Sequence, residues 1–301
     1  IKVLVKSLGA ARFREQVETE WQSCRDTAPQ LSPLEVSRVR AFFAPQPYES
    51  VEDFDASAAR EPRFQAWYRY NTRPHRVPGY RAVFVSLKAH GSAPGDVTSE
   101  QMEALAALAD RVSFGMVRTT HNQNLLLADV PQRELHGVWL ELQRLNLAMP
   151  NIGTLTDIIA CPGLDFCSLA NAGTLDVVRQ IQQRFDDLDY LYDLGEIEIK
   201  MSGCMNACGH HHVGHIGILG VDKHGEEWYQ ISLGGSANGF TALGEVIGPS
   251  VPKHEVATTI ERIVEAYRAL RAEGERFIDT LRRVGLTPFT ESAYAAHPAA
   301  A

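Results

Sequence analysis

The period of apolar positions changes along the chain, and the changes divide it. RAVFVSLK (81–88) reads as a strand, and Thr98 with Gln101 three positions on forms a capping box that starts a helix over SEQMEALAALADR (99–111). FGMVRTT (114–120) and NLLLADV (124–130) read as two further strands. Pro131, tolerated in a first helical turn, then opens the amphipathic PQRELHGVWLELQRL (131–145). The order is β-α-β-β-α. A second region begins near Pro150 with the helix LDVVRQIQQRF (175–185), for which Thr174 is the expected N-cap. In EIEIKM (196–201), Ile197, Ile199 and Met201 alternate with Glu196, Glu198 and Lys200, which predicts a strand running directly into Cys204. HIGILGV and EWYQISLGG read as strands separated by the turn-like DKHGE, and a long helix follows from about His254 to Arg283, interrupted by Gly274.

The pattern predicts an α+β chain with a helical tail over 1–25, an extended connector over 26–75, a β-α-β-β-α domain over 76–149, a larger α/β domain over 150–285 and a C-terminal tail over 286–301. The connector is rich in Pro, Ser, Asp and Glu, shows no sustained period, and ends in the aromatic WYRYN, which is expected to dock. The two ends of the chain resemble each other. Gly9, Phe13 and Glu15 in SLGAARFREQ match Gly285, Phe289 and Glu291 in RVGLTPFTES at an offset of 276. A repeat of that length makes the chain the second copy of a duplicated unit, opening with the tail of the first.

The 301 residues are 45% hydrophobic and 22% charged, a globular profile with enough length for two cores. A formal net charge of −8 argues against a general nucleic-acid binder, because phosphate contacts need a basic surface. No apolar run reaches a membrane span and the first residues lack a signal peptide's apolar core, so the expected location is the cytoplasm.

Five cysteines then change the picture. Cys161 and Cys167 form C-x5-C, 36 residues intervene, and Cys204 and Cys208 form C-x3-C; Cys24 stands apart as a structural residue. Disulfides are not expected in a reducing compartment, so two close pairs read as metal ligands. Four thiolates suit tetrahedral zinc or an iron–sulfur cluster alike. Small residues flank both pairs: Gly163, Ala170, Ala172 and Gly173 at the first, Ser202, Gly203, Ala207 and Gly209 at the second. They leave room for a body larger than one ion and expose amides to its sulfurs, which favours the cluster over a zinc-stabilised structural module or a plain electron carrier. His211 and His215, four apart in HHHVGH, would share a face on a helix, but the segment flows into a glycine-containing strand pattern, and the histidines read as polar lining of a loop around a buried cofactor.

TDIIACPGLDFCSLANA together with KMSGCMNACGHHHVGHIGILGVDK resembles the cluster signature of the sirohaem-containing sulfite and nitrite reductases, most closely the bacterial assimilatory sulfite reductase haemoproteins. The likeness extends upstream through HRVPGYRAVFVSLKAHGSAPGDVTSEQM and VRTTHNQNLLLADV, and downstream through WYQISLGGSANG to GERFIDTLRRVGLTPF. It implies a ferredoxin-like half domain followed by a sirohaem and iron–sulfur domain. Cys161, Cys167, Cys204 and Cys208 would hold a [4Fe–4S] cluster, Cys208 would also be the axial ligand of the sirohaem iron, and Asn206 would hydrogen-bond beside the cluster. Arg118 occupies the place where the duplicated motif carries an anion-gripping arginine; it contacts the cofactor or preserves an inherited strand end, the second being favoured. The remaining substrate-gripping residues are expected mainly in a missing N-terminal half. The implied reaction is six-electron reduction of sulfite to sulfide, with nitrite to ammonia as the alternative and a flavoprotein or ferredoxin as electron donor.

Overall fold

A computed structural model of the protein describes residues 1–51 and 60–295. The chain divides into two compact units, Ile1–Glu49 and Ser50–Ala301. The first holds α1 (Lys2–Leu8), α2 (Ala10–Cys24) and α3 (Pro33–Ala41). Gly9 separates the first two helices at φ 78°, a left-handed conformation that costs glycine least, and its N–H donates to the Val5 carbonyl at 2.9 Å. No residue of α2 is buried within this unit.

The second unit begins with α4 (Pro62–Asn71), β1 (Thr72–Pro74), β2 (Tyr80–Val85), α5 (Ser99–Val112), β3 (Arg118–Thr119), β4 (Leu125–Pro131) and α6 (Leu135–Arg144). The four strands form an antiparallel sheet in the order β1-β2-β4-β3. The Thr98 and Gln101 capping box is present in both directions, as its spacing predicts. Helices α4, α5 and α6 bury Trp67, Leu105, Leu108, Val138 and Trp139 against Val83 and Leu127 of the sheet.

There follow β5 (Ile159–Ala160), α7 (Leu175–Arg184), α8 (Leu188–Leu194), β6 (Ile199–Ser202), β7 (Ile216–Lys223), β8 (Glu226–Leu233), β9 (Glu245–Val246), β10 (Val251–Pro252), α9 (Val256–Leu270), α10 (Phe277–Val284) and α11 (Thr287–Ala293). Their sheet has the order β10-β8-β7-β6-β5, with β9 paired to β8; β5, β6 and β7 run parallel, and β8 is antiparallel to its neighbours. His224 and Gly225, both at positive φ, make the tight turn between β7 and β8. Among the described residues no helix is long and apolar enough to cross a membrane.

Four expectations are corrected. The segment expected as an extended connector contains two helices and a strand: α3, whose N-cap Ser32 accepts from the Glu35 N–H with Pro33 at the first helical position, then α4, which sinks Phe64 and Trp67 into the core, and β1. The rest of that segment, 52–59, lies outside the described residues. Pro131 ends β4, and α6 begins only at Leu135 after a short 3-10 turn. The alternating strand is shorter than its pattern and buried on both faces, and its buried Lys200 ammonium pairs with Glu198 at 3.0 Å. The expected C-terminal tail carries α11, which buries Phe289, whereas the interruption expected at Gly274, at φ 70°, is present between α9 and α10.

Candidate metal and cofactor centre

The C-terminal ends of the parallel strands β5 and β6 carry the two cysteine pairs. Cys161 follows β5 directly and extends its ladder, its N–H donating to the Met201 carbonyl at 3.2 Å. Ligands placed beyond the carboxyl ends of parallel strands are the usual arrangement of such sheets. The Cys161–Thr174 segment closes on itself. Cys167 N–H donates to the Gly163 carbonyl at 2.9 Å, Leu164 N–H donates to the Ala172 carbonyl at 3.1 Å, and the Thr174 hydroxyl donates to the Cys161 carbonyl.

Thr174 sits at the N-cap of α7 as expected, but its hydroxyl is engaged with Cys161 and makes no cap bond. The cap comes from inside the first cysteine loop, where an Asp165 carboxylate oxygen accepts from the Thr174 and Leu175 N–H groups, each at 3.4 Å. Opposite, Glu227 accepts from the Gly173 N–H at 2.6 Å and from the Tyr229 hydroxyl at 3.0 Å. Partial burial raises the Glu227 pKa, but the Gly173 and Tyr229 bonds and Lys253 outweigh it and hold the carboxyl below its ordinary value. Burial, and then Glu227 itself, push the Tyr229 hydroxyl up, so it remains a donor.

The second pair lies in a loop that turns back over β6. Ala207 and His210 adopt φ of 57° and 56°, and Gly209 N–H donates to the Ser202 hydroxyl at 3.1 Å. The two loops touch. The Gly203 N–H donates to the Cys161 sulfur at 3.1 Å, and the Gly203 carbonyl accepts from Asn171 and Ala172 at 2.8 and 3.1 Å. A Cβ on Gly203 would stand 2.7 Å from both the Ala172 oxygen and the Gly163 Cα, so only glycine permits this approach.

Burial grades across the set. Cys204 is buried, Cys161 and Cys167 are half-buried, and Cys208 is exposed, as is Asn206 beside it. Around them Phe166, Leu169 and Met205 are 81%, 72% and 73% exposed, an apolar rim suited to the face of a large macrocycle. Among the described residues no three His, Cys, Asp or Glu side chains are grouped about one ion position. Two abutting thiol loops, an amide already donating to one sulfur, and an apolar rim fit a cluster with a haem-like partner.

The histidines separate. His211 lies in a 3-10 turn that ends before β7, so it and His215 do not share a helix face. His215 is buried, its Nδ1 accepting from the Glu198 N–H at 3.2 Å, while His210 and His212 are exposed. Burial, and secondarily His212 with its ring centroid 4.0 Å away, push His211 down to about 4. A folded protein that refuses a proton its unfolded chain accepts loses stability as pH falls below about 6.5, and the loss levels off near 4. His211→Ala is expected to weaken the acid dependence of thermal unfolding, to which buried His215, also pushed down by burial, still contributes, while leaving iron content unchanged; loss of iron would make His211 part of the metal centre.

Arg118, on β3, is half-exposed and lies 4.0 Å from the buried carboxylate of Asp129, which His75 also approaches at 3.3 Å. Cys24 is half-buried on α2, with its thiol 3.7 Å from the Trp21 carbonyl. Sequence reading missed Lys88, whose fully buried ammonium donates to the Asn122 carbonyl at 2.9 Å, to Asp157 at 3.1 Å and to the Ile158 carbonyl at 2.8 Å. Burial pulls its pKa down, and Asp157 opposes the shift. Nothing in VSLKAH distinguishes such a lysine from a solvated one.

Residues 152–298 match the nitrite and sulphite reductase 4Fe-4S domain, and residues 73–145 match the nitrite/sulfite reductase ferredoxin-like half domain. "Sulfite reductase [ferredoxin] 2" of Mycolicibacterium paratuberculosis is 29% identical over 92% of this chain and 45% of its own length. The "Assimilatory ferredoxin-dependent nitrite reductase" of Haloferax mediterranei is 32% identical over 75% of this chain and 40% of its own. Among solved structures, the Mycobacterium tuberculosis NirA protein superposes with a TM-score of 0.60 at 26% identity, covering 95% of this chain and 48% of that one. The chain thus spans less than half the length of these relatives. With a ferredoxin-like half domain and a 4Fe–4S domain matched in that order over more than half of its residues, this chain belongs to the nitrite and sulfite reductase family of oxidoreductases, whose cofactors are sirohaem and a [4Fe–4S] cluster.

Proposed function

We propose that this chain is the cofactor-bearing half of an assimilatory sulfite reductase, in which Cys161, Cys167, Cys204 and Cys208 hold the [4Fe–4S] cluster and Cys208 is shared with the sirohaem iron. The observation that carries the reading is the abutment of the two thiol loops through Gly203 and Cys161, with Cys208 the one exposed thiol of the four. The bound pair supplies single-electron storage and a reducible iron for the substrate oxyanion. The chain's own residues set the environment. Gly203 N–H donates to the Cys161 sulfur, Asp165 and Glu227 fix the first loop, and the exposed Phe166, Leu169 and Met205 would pack on a bound macrocycle. Asn206 stands beside Cys208 as the side chain to hydrogen-bond near the cluster. The pairing of Arg118 with Asp129 supports a role in holding the end of β3.

The two ends support a duplicated architecture with a further N-terminal copy. Gly285 repeats Gly9 in detail: φ of 80° against 78°, and an N–H donated four residues back at 2.9 Å in each case. In the C-terminal pair Phe289 is fully buried against α9 and α10, while its counterpart Phe13 is half-buried and Val3 and Trp21 stand exposed. An apolar face of this kind suits a core supplied by the preceding copy, which would also supply most substrate-binding cations.

Nitrite is the second reading, because one relative is an assimilatory ferredoxin-dependent nitrite reductase. The test uses the complete gene product purified anaerobically from cells that make sirohaem. The expected result is a haem-plus-cluster visible spectrum that shifts on adding sulfite, with kcat/KM higher for sulfite than for nitrite, using reduced ferredoxin or a flavoprotein as donor. A colourless protein containing zinc overturns the cofactor assignment, and a higher kcat/KM for nitrite overturns the substrate assignment alone.

A further inference from the structure

The turn joining β3 to β4 carries Gln123 at φ 55°, a left-handed conformation uncommon for a residue with a side chain and a form of strain that clusters at functional sites. Its amide makes two bonds to one residue of another domain. Nε2 donates to the Ala160 carbonyl at 2.8 Å, and Oε1 accepts from the Ala160 N–H at 2.9 Å. This reciprocal pair reproduces the bonds an antiparallel neighbour would make. It falls on β5, the edge strand of the six-stranded sheet, whose other side is paired to β6. Gln123 therefore acts as a one-residue strand completing an edge.

The residue it pins is the one before Cys161. The turn is itself anchored: Asn124 Nδ2 donates to Asp157 at 2.9 Å, and the buried Lys88 ammonium donates to the Asn122 carbonyl at 2.9 Å. On its far side a Cβ at Gly95 would come within 3.2 Å of the Gln123 Cβ, so the 89–97 loop leaves the side chain little room to swing away. An amide is needed because both a donor and an acceptor are used; a carboxylate would face the Ala160 carbonyl with no proton to share.

We propose that Gln123 is a positioning residue for the cluster ligand Cys161: by fixing both backbone groups of Ala160 it holds the Cys161 sulfur against the Gly203 N–H and thereby sets the cluster's reduction potential. Hydrogen bonds to cluster sulfurs raise the potential by stabilising the more negative reduced state. The inference rests on the cluster assignment made above and extends it to the half domain, which would tune a centre it does not ligate.

The test compares Gln123→Met, which removes both bonds at similar length, and Gln123→Glu, which keeps only the acceptor, in the complete gene product. Iron content, Tm and the cluster potential from an EPR-monitored redox titration are measured together. Expected is iron retained and, at fixed applied potential, a roughly tenfold shift toward the oxidised cluster in Gln123→Met, equivalent to about 59 mV for one electron, with a smaller shift in Gln123→Glu. Unaltered potential and g-values in iron-replete variants overturn the proposal. If both variants lose iron, a Tm equal to that of iron-free wild type supports a role confined to the ligand, and a Tm below that of iron-free wild type overturns the proposal in favour of a purely structural staple. A wild-type protein without iron contradicts the cluster assignment instead.

Discussion

Replacing Cys208 with serine in the complete protein is expected to remove the cluster and the sirohaem signatures together. A serine oxygen is a poor substitute for a thiolate at iron, and here one sulfur is assigned to two centres. Changes to groups around a metal typically cost 10–100-fold in affinity or activity, and loss of a shared ligand is expected to exceed that range. Bound iron should fall to background, and sulfite reduction should become undetectable. The exposure of Cys208, against the burial of Cys204 four residues earlier in the same loop, is what singles it out. Cys24→Ser supplies the contrast: that thiol sits on α2, in the other compact unit, and its removal should leave iron unchanged. Wild-type cluster and haem spectra in Cys208→Ser would refute the shared-ligand assignment.

Gly209→Ala is expected to be the most damaging single methyl addition in the second cysteine loop. The new Cβ would fall within bonding distance of the Met201 carbonyl oxygen and 2.7 Å from the carbonyl carbon. Both atoms belong to the backbone of β6, which is buried and paired on both sides, so neither can retreat cheaply. Ordinary overpacking costs about 1–3 kcal/mol. A clash with main chain in a central strand should reach about 4 kcal/mol, lowering Tm by roughly 10 °C in a unit of this size. Denaturant unfolding of the apo and loaded protein measures the cost, and a loss below about 1 kcal/mol would mean the loop after Cys208 does not lie over β6 as described.

Much of the fold was legible because its local signals agree with its tertiary role. The Thr98 and Gln101 spacing specifies a cap that any amphipathic helix at that point would use, and the structure forms it in both directions. The apolar alternation over 215–221 and 227–233 specifies two strands, and the intervening His224 and Gly225 adopt the positive φ a tight hairpin requires. The signals failed where local pattern and long-range packing diverge. Residues 26–75 lack a period, yet Phe64 and Trp67 lie on α4 because the half-domain core takes them in. Thr174 has the chemistry of a cap, but the Cys161 carbonyl claims its hydroxyl and Asp165 caps α7 in its place.

For the candidate centre the division is sharper. The four cysteines, their spacing and the small residues beside them are properties of the sequence, and with the flanking resemblance they sufficed to indicate a cluster and its family. Ligand identity is local: a thiolate is competent wherever it stands, and glycine beside it always leaves room. Which thiol faces outward, how the Gly203 amide meets Cys161, and that Gln123 of a distant turn bonds the backbone of Ala160 just ahead of Cys161 are visible only in the folded chain. These are hydrogen bonds and burials between segments 37 and 42 residues apart in the chain, and no local period or propensity encodes a partner at that separation. The cysteines and their spacing are legible because they are local in the chain; the bonds from the Gln123 turn to β5 are not, because only folding brings those two segments together.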